Sequence, residues 1–486
     1  MNLLPTSIMR AGCLFLSVLS SSLFGQSPLT LTSVQAQARG ESPAAQQAAL
    51  TAQAAAADYR AFRAGLRPQV SLGASLPGFT RSINGVLQDD GSTLFRTQNQ
   101  TFSTANLSLQ QVLPFSGGEV SLFSALTNFN SFGPNGFTSW QSVPLGIRLR
   151  QPLFQVNAVK WDREAAALEL TLAERTRLRS REEAVVEATQ LFFAALRAQE
   201  QLQRLRADLP RLDSVYRLAQ QRQALGRLSE AERLQSELTR WQAKADSGEL
   251  AWTEAQARAD LARWLGQAPD SLARLLVPEM PRLAEGAEAW LPQAWAQSQQ
   301  ALDARLARLQ AERAVREAKA GGRLQAELTA SFGLNQTGQQ VGEAYRNLED
   351  QQAVSLSMQV PLLQGGRGRA EVEAAAARQR AVQVETRQRR LGYEQDLRFQ
   401  WRQLQQLQAQ VTLAERVQAA AQRRYRISYQ RYRSGGLTLQ DLYLARQEEG
   451  QAQADYLRSL ERLWLTLVEW QADALYDAQA GQPLQP

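Results

Sequence analysis

The chain has 486 residues, 54 basic and 47 acidic, and its net charge of +7 is spread through Arg/Glu interleaving that reads as solvated helix surface, not as a nucleic-acid footprint. It has no histidine and one cysteine, Cys13, which excludes Ser-His-Asp and Cys-His nucleophile systems, histidine metal sites and internal disulfides. No apolar run reaches about 18 residues, so no membrane-spanning helix is expected.

Residues 1–25 read as a signal peptide. Arg10 precedes an apolar stretch from Ala11 to Phe24, and Gly25-Gln26 offers a small-residue cleavage point. Ala11-Gly12-Cys13 does not fit a lipoprotein site, because it precedes the apolar stretch instead of following it. Cys13 would leave with the signal, and the mature chain would hold no cysteine.

A first structural repeat is expected over 26–266: a helix, strands over 66–80 and 100–152 with an insertion, and a helical hairpin over 158–266. Val70, Leu72, Ala74 and Leu76 alternate with polar or small neighbours, and Leu145, Ile147 and Leu149 oppose Gly146, Arg148 and Arg150. A period of two gives each strand one apolar and one polar face. The lengths suit bilayer-spanning strands of about 9–11 residues, although a soluble sandwich shows the same pattern. From Ala158 to Ala224 the good helix formers Ala, Leu, Gln, Glu and Arg dominate. Such a helix would be about 100 Å long at about 1.5 Å per residue, which implies coiled-coil packing. Pro210 is expected to kink or break it. Residues 267–290 read as a linker. A second repeat is expected over 291–476, with a helix, strands over 323–336 and 352–363, and a helical hairpin over 367–476. Residues 477–486 form a tail.

The two halves are copies. Pro361 follows Pro152 by 209 positions, and the same offset separates Gly435 from Gly226, Thr438 from Ser229 and Asp441 from Glu232. At the front the offset is 256, between Ser75 and Ser331, so an excess of 47 residues lies in the first half between Ser75 and Pro152. That segment is rich in Gly, Asn, Ser, Thr and Phe and reads as extra strands and loops on a common core. A repeat of this kind governs the whole architecture. Each glycine turn is followed by a Ser or Thr placed to cap a returning helix.

Catalytic chemistry is thin. Glu182-Glu183 and Glu448-Glu449 are adjacent carboxylates on charged helices, a pattern that is usually just solvated. Gly365-Gly366-Arg367-Gly368-Arg369 lacks the Lys-Ser/Thr ending of a phosphate loop and reads as a strand-to-helix junction. No catalytic residue, cofactor or metal is expected.

In order and spacing these residues resemble the TolC-like outer-membrane efflux protein family, in its longer-looped branch. The resemblance covers nearly the whole mature chain. It rests on Gln151-Pro152-Leu153-Phe154, on Val360-Pro361-Leu362-Leu363-Gln364-Gly365-Gly366, and on the two Gly-x-x-Ser/Thr-x-x-acidic turns. Ser42-Pro43 and the segment from Leu107 to Gly118 add to it. It implies an α+β membrane protein with an internal twofold repeat. Long antiparallel coiled-coil helices would form a periplasmic α-barrel, and the strands would join a transmembrane β-barrel shared by a homotrimer. It also implies an exit duct for tripartite efflux or type I secretion, in the outer membrane of a Gram-negative-type cell. The partners implied are a periplasmic adaptor protein, an inner-membrane pump and outer-membrane lipid, with no nucleic acid.

The resemblance further implies site residues. Leu225, Gly226 and Arg227, with Gly435, Gly436 and Leu437, would be the adaptor-docking tips. Asp441, with Glu232 at its repeat position, would form the periplasmic gate. The next aspartate of the family pattern falls on Leu444, a departure, and Arg222, Arg227, Arg431 and Arg433 crowd the tips with positive charge. Asp441 also reads as an ordinary helix-start residue held by the helix dipole. Pro152 and Pro361 mark the strand–helix junctions. Phe115, Phe123, Phe129, Phe132, Phe137 and Trp140 would form an interfacial aromatic girdle or pack a loop, and Phe154 and Trp161 incline slightly to the girdle. The competing architecture is a periplasmic coiled-coil scaffold without a pore.

Overall fold

Alternating residues place themselves in one antiparallel meander of six strands, ordered β1-β2-β3-β4-β5-β6. The structure is a computed structural model that describes residues 28–87, 91–133, 136–268, 272–284 and 287–484. The expected signal segment, Cys13 and residues 88–90 lie outside the described residues. The strands of this sheet are β1 (Gln69–Leu87), β2 (Thr93–Leu113), β3 (Gly118–Phe132), β4 (Phe137–Leu153), β5 (Gln325–Gly338) and β6 (Glu349–Gln359), and Tyr476–Asp477 and Gln482–Pro483 form a separate two-stranded ladder. The helices are α1 (Leu31–Glu41), α2 (Pro43–Gly65), α3 (Ala158–Ala224), α4 (Glu230–Trp264), α5 (Ala287–Gln297), α6 (Gln299–Gly321), α7 (Arg367–Ser434) and α8 (Leu439–Ala474). The chain divides into two units, one of residues 28–34 and 191–279, the other of residues 35–190 and 280–484.

The larger unit contains the whole sheet. The first repeat supplies four strands and the second two, so the inserted segment is the β2–β3 hairpin. The register aligns the apolar positions from strand to strand. Val70 pairs with Leu109 and Leu72 with Leu107; Leu109 pairs with Leu122, Leu122 with Ile147, Ile147 with Phe332, and Ala330 with Val354. One face is therefore an apolar belt across all six strands, and its large side chains, including Leu72, Leu107, Ile147 and Val354, are exposed. The opposite face carries Ser71, Ser108, Ser121, Arg148, Arg150, Ser331 and Thr329, again in register. There Ser71 and Ser108 share a 2.8 Å hydrogen bond, and Arg150 pairs with Glu327 at 3.0 Å. Register shifts fall at Pro77 and Pro144, which have no N–H to give to the ladder. Gly146 leaves room for the Phe123 ring, which a side chain there would strike, and Arg148 lies 4.9 Å from the centre of that ring.

Also in this unit, α7 and α8 form an antiparallel hairpin. Leu397, Leu404, Val411, Tyr425 and Tyr432 of α7 are buried at multiples of seven residues. On α8, Leu442, Glu449, Leu463 and Trp470 keep the same phase, with Leu439, Leu460, Leu467 and Ala474 beside them. A seven-residue repeat is the signature of coiled-coil packing. An aromatic knot closes the sheet-proximal half of the hairpin. Trp401 and Trp470 lie 5.0 Å apart, and Trp470 Nε1 donates to Leu397 O at 3.2 Å. Trp290 stacks on Tyr476 and donates to Ala474 O at 3.0 Å. Tyr393 donates to Asp473 O at 2.6 Å, and burial raises its phenol's pKa.

The smaller unit is built on the distal half of α3 and on α4. Leu205, Asp208, Leu212, Val215 and Ala219 are buried at alternating steps of three and four. Of the kink or break expected at Pro210, the break does not occur: α3 runs unbroken from Ala158 to Ala224 with the proline inside it. The proline sits on the exposed side, where the carbonyl it frees can be hydrated, while the buried stripe continues past it. The segment after α4 is held by a buried amide: Gln199 Nε2 donates to Leu275 O at 2.9 Å, and Leu275 N donates to Gln199 Oε1 at 3.0 Å. Leu29 bridges Leu275 in parallel.

Candidate functional site

The two tips are built alike, hydrogen bond for hydrogen bond. In the smaller unit α3 ends at Ala224, and Gly226, two residues on, takes a left-handed conformation with φ +66°. Gly226 N donates to Gln223 O at 2.9 Å, and Arg227 N donates to Arg222 O at 2.8 Å. In the larger unit α7 ends at Gly435, with φ +86°. Gly435 N donates to Tyr432 O at 3.1 Å, and Gly436 N donates to Arg431 O at 2.9 Å. Donors and acceptors all correspond at the 209-residue offset. A left-handed residue after the helix satisfies its last carbonyls, and glycine adopts that conformation without steric cost. Leu225, Gly226, Arg227, Gly435 and Gly436 are exposed, and Leu437 is half-buried.

The returning helices start on the expected caps. Ser229 Oγ accepts from Glu232 N at 3.2 Å, and Glu232 Oε2 accepts from Ser229 N at 3.0 Å, a complete capping box. Ser229 Oγ also donates to that carboxylate at 2.7 Å. The hydrogen bonds from the Ser229 hydroxyl and backbone hold the Glu232 carboxyl below its ordinary pKa. On α8, Thr438 Oγ1 accepts from Asp441 N at 3.1 Å and donates to Asp441 Oδ2 at 2.6 Å. Both gate candidates thus sit one turn into their helices and are bound to their own caps. Asp441 is exposed, as is Leu444 one turn further on.

Of the junction residues, Pro152 lies within β4 opposite Glu327, and Pro361 lies just past the end of β6. Beyond Pro361, Leu362 and Leu363 are fully open, at 92% and 93% exposure, and Gly365 and Gly366 are left-handed before α7. The glycine-rich segment is thus a strand-to-helix turn.

The aromatic residues divide. Phe102, Phe129 and Phe137 pack together with ring centres 4.8 and 5.5 Å apart, on the polar face of the sheet. Phe123 is taken up by Arg148. Phe79, Phe95 and Phe132 are exposed toward the far end of the strands, and Phe115 and Phe154 are exposed at the turns nearest the helices. Trp161 is buried, with the Arg316 guanidinium 5.0 Å from its ring, so it packs where a girdle residue would face outward. Sequence reasoning missed the Trp290–Trp401–Trp470–Tyr476 knot. Its members are far apart in the chain, and only the high tryptophan content, 10 in all, signalled it. Among the described residues no acidic, cysteine or histidine cluster is placed to hold a metal ion.

Residues 290–466, most of the second repeat, match the family model described as outer membrane efflux protein. No characterised protein matches the chain by sequence comparison. Several solved structures share its fold. VceC from Vibrio cholerae is 18% identical with a TM-score of 0.64, over 93% of this chain and 96% of that one. The Campylobacter jejuni CmeC outer membrane channel is 14% identical with a TM-score of 0.65, over 99% and 95%. The Neisseria gonorrhoeae MtrE outer membrane channel is 17% identical with a TM-score of 0.59, over 94% and 91%. The outer membrane efflux protein family's segment thus lies in the second repeat, and nearly the whole chain has the fold of these solved outer-membrane proteins.

Proposed function

We propose that three copies of this chain form an exit duct, the outermost part of a tripartite efflux or type I secretion system, and that its two tips receive a periplasmic adaptor coupled to an inner-membrane pump. TolC-family channels are non-enzymatic outer-membrane transport proteins that form trimers, work in tripartite systems and extend into the periplasm of Gram-negative bacteria. One observation carries the reading for this chain: a six-stranded sheet with an exposed apolar face and a polar opposite face. An exposed belt of Leu, Ile, Val and Phe is costly in water and favourable in lipid. Lipid also forbids unpaired strand edges, so one sheet must close with others. A coiled-coil scaffold without a pore gives no reason for such a sheet.

In this reading the 26–266 and 291–476 repeats supply equivalent hairpins, and Asp441, with Glu232 as its repeat counterpart, gives the periplasmic end its charge. The test is fractionation. The chain should stay with outer membranes through carbonate and salt, and run as a trimer that collapses to monomer on heating. Release of the protein by carbonate would establish the scaffold instead.

A further inference from the structure

Both edges of the sheet are open. Among the described residues β1 pairs only with β2, and β6 only with β5. The strands alternate in direction, so β1 leaves the helical end and β6 returns to it. Placed beside each other, β6 of one copy and β1 of the next are antiparallel, and the meander continues without a break. Six strands per copy, combined with the three-copy duct proposed above, fix the size of the wall. We propose that this chain closes an eighteen-stranded barrel, in which the inserted β2–β3 hairpin is part of the membrane wall and not a loop above it.

Three observations carry the hairpin into the wall. First, β2 and β3 are paired residue for residue from Leu113–Gly118 to Asn99–Phe132, and they lie between β1 and β4 in one ladder. Removing them from the wall would break the β1–β2 and β3–β4 ladders and strand their backbone groups, which lipid does not tolerate. Second, the hairpin carries the same two faces as its neighbours. Leu107, Leu109 and Leu122 continue the apolar belt from Leu72 to Ile147, while Asn106, Ser108 and Ser121 continue the polar face. A loop above the membrane needs no such belt. Third, the 47-residue excess of the first repeat matches one further hairpin, Thr93–Phe132 with a turn, and so an even strand count.

The consequence is geometric. With strands about 4.8 Å apart and tilted about 40°, eighteen strands enclose a cylinder about 36 Å across between backbones, against about 24 Å for twelve. The polar face, with Arg148, Arg150, Glu119 and Glu327, would line it. Side chains fill a narrow barrel, but a wall of this size leaves an aqueous channel.

Electron microscopy of the full chain in lipid nanodiscs tests the inference directly, together with nitroxide labels at Leu107→Cys, Leu122→Cys and Ser108→Cys in a Cys13→Ser background. The expected result is a trimer with eighteen strands. Positions 107 and 122 should be relaxed by oxygen dissolved in lipid, and position 108 by a water-soluble nickel chelate. A trimer with twelve strands in the wall, and with the chelate reaching 107 and 122, would overturn the inference and leave the three-copy duct standing. A different number of copies around one wall would overturn both.

Discussion

Replacing Gly435 with valine tests whether the tips dock a partner. Gly435 holds φ +86° as the cap of a 68-residue helix, and its N–H and that of Gly436 satisfy Tyr432 and Arg431 carbonyls. A left-handed L-residue costs about 1–2 kcal/mol, and a β-branched one sits at or above the top of that range. The variant can pay this cost in place or open the turn, which gives up two backbone hydrogen bonds worth about 1 kcal/mol each. Either way the perturbation is about 2–3 kcal/mol, enough to shift the turn's conformational equilibrium about 30- to 150-fold. The damage should stay local. Tyr432, Leu439 and Leu442 anchor the hairpin next to the turn, and the buried seam continues down α8 to Ala474. Export of a pump substrate should fall sharply while the heat-modifiable trimer persists. Gly435→Asn should retain transport, because asparagine tolerates the left-handed conformation. Normal transport by Gly435→Val would refute the docking role, and failure of the trimer to assemble would make the turn purely structural.

Three further outcomes are expected. In single-channel recordings Asp441→Asn should lower cation preference and blunt block by multivalent cations, because a ring of three carboxylates in a narrow opening favours cations; unchanged selectivity would leave Asp441 as a helix-start residue. Leu107→Arg should destabilise the barrel by about 2–4 kcal/mol in lipid if the belt crosses the bilayer midplane, while Ser108→Arg on the polar face should be nearly neutral, as read by denaturant unfolding from vesicles. Because hydrogen bonding lowers the folded pKa of Glu232, its stabilising effect is full above the ordinary carboxylate range and lost as pH falls through the lowered value; hydrogen-exchange protection at the start of α4, taken relative to the intrinsic rate at each pH, should therefore be flat from about pH 8 to 6 and fall only in strong acid, and Ser229→Ala should remove that step at a cost of about 1 kcal/mol.

What was legible in the sequence follows from how local each signal is. The tips rest on a few consecutive residues, so Gly226 with Ser229 and Gly435 with Thr438 announced turn and cap together. Val354, Leu356 and Met358 gave the period of β6 as plainly. The inserted hairpin was harder, because Thr97, Asn99, Thr101 and Ser103 continue the face of Leu107 and Leu109 with polar residues while Gln98, Gln100 and Thr104 occupy the other face, so the alternation fades in the upper part of β2. Partner strands fix that register, and the residues of β2 do not specify it alone. Pro210 does not end its helix, because the proline faces solvent and packing holds the other side. Trp161 misled because a tryptophan after a strand suits an interface or a core equally, and Arg316, far along the chain, decides it.

The duplication also separates the two acidic residues that it makes equivalent. Glu232 has one more methylene than Asp441, and that length lets its carboxylate reach back to the Ser229 backbone and complete the box. Asp441 bonds its threonine hydroxyl through Oδ2 and forms no such box. The carboxylate at the first tip is therefore committed to starting a helix, and exchanging it for glutamine should be felt first as a loosened helix start. At the second tip an exposed carboxylate one atom shorter stands beside a cap that Thr438 supplies to the Asp441 N–H with its own oxygen. Asp441→Asn removes charge while leaving that backbone bond in place. A change in ion selectivity without a change in exchange at the start of α8 would then belong to the charge itself. If the two equivalent positions responded alike, with exchange and selectivity moving together at both, capping would account for both residues and the gate would lie elsewhere.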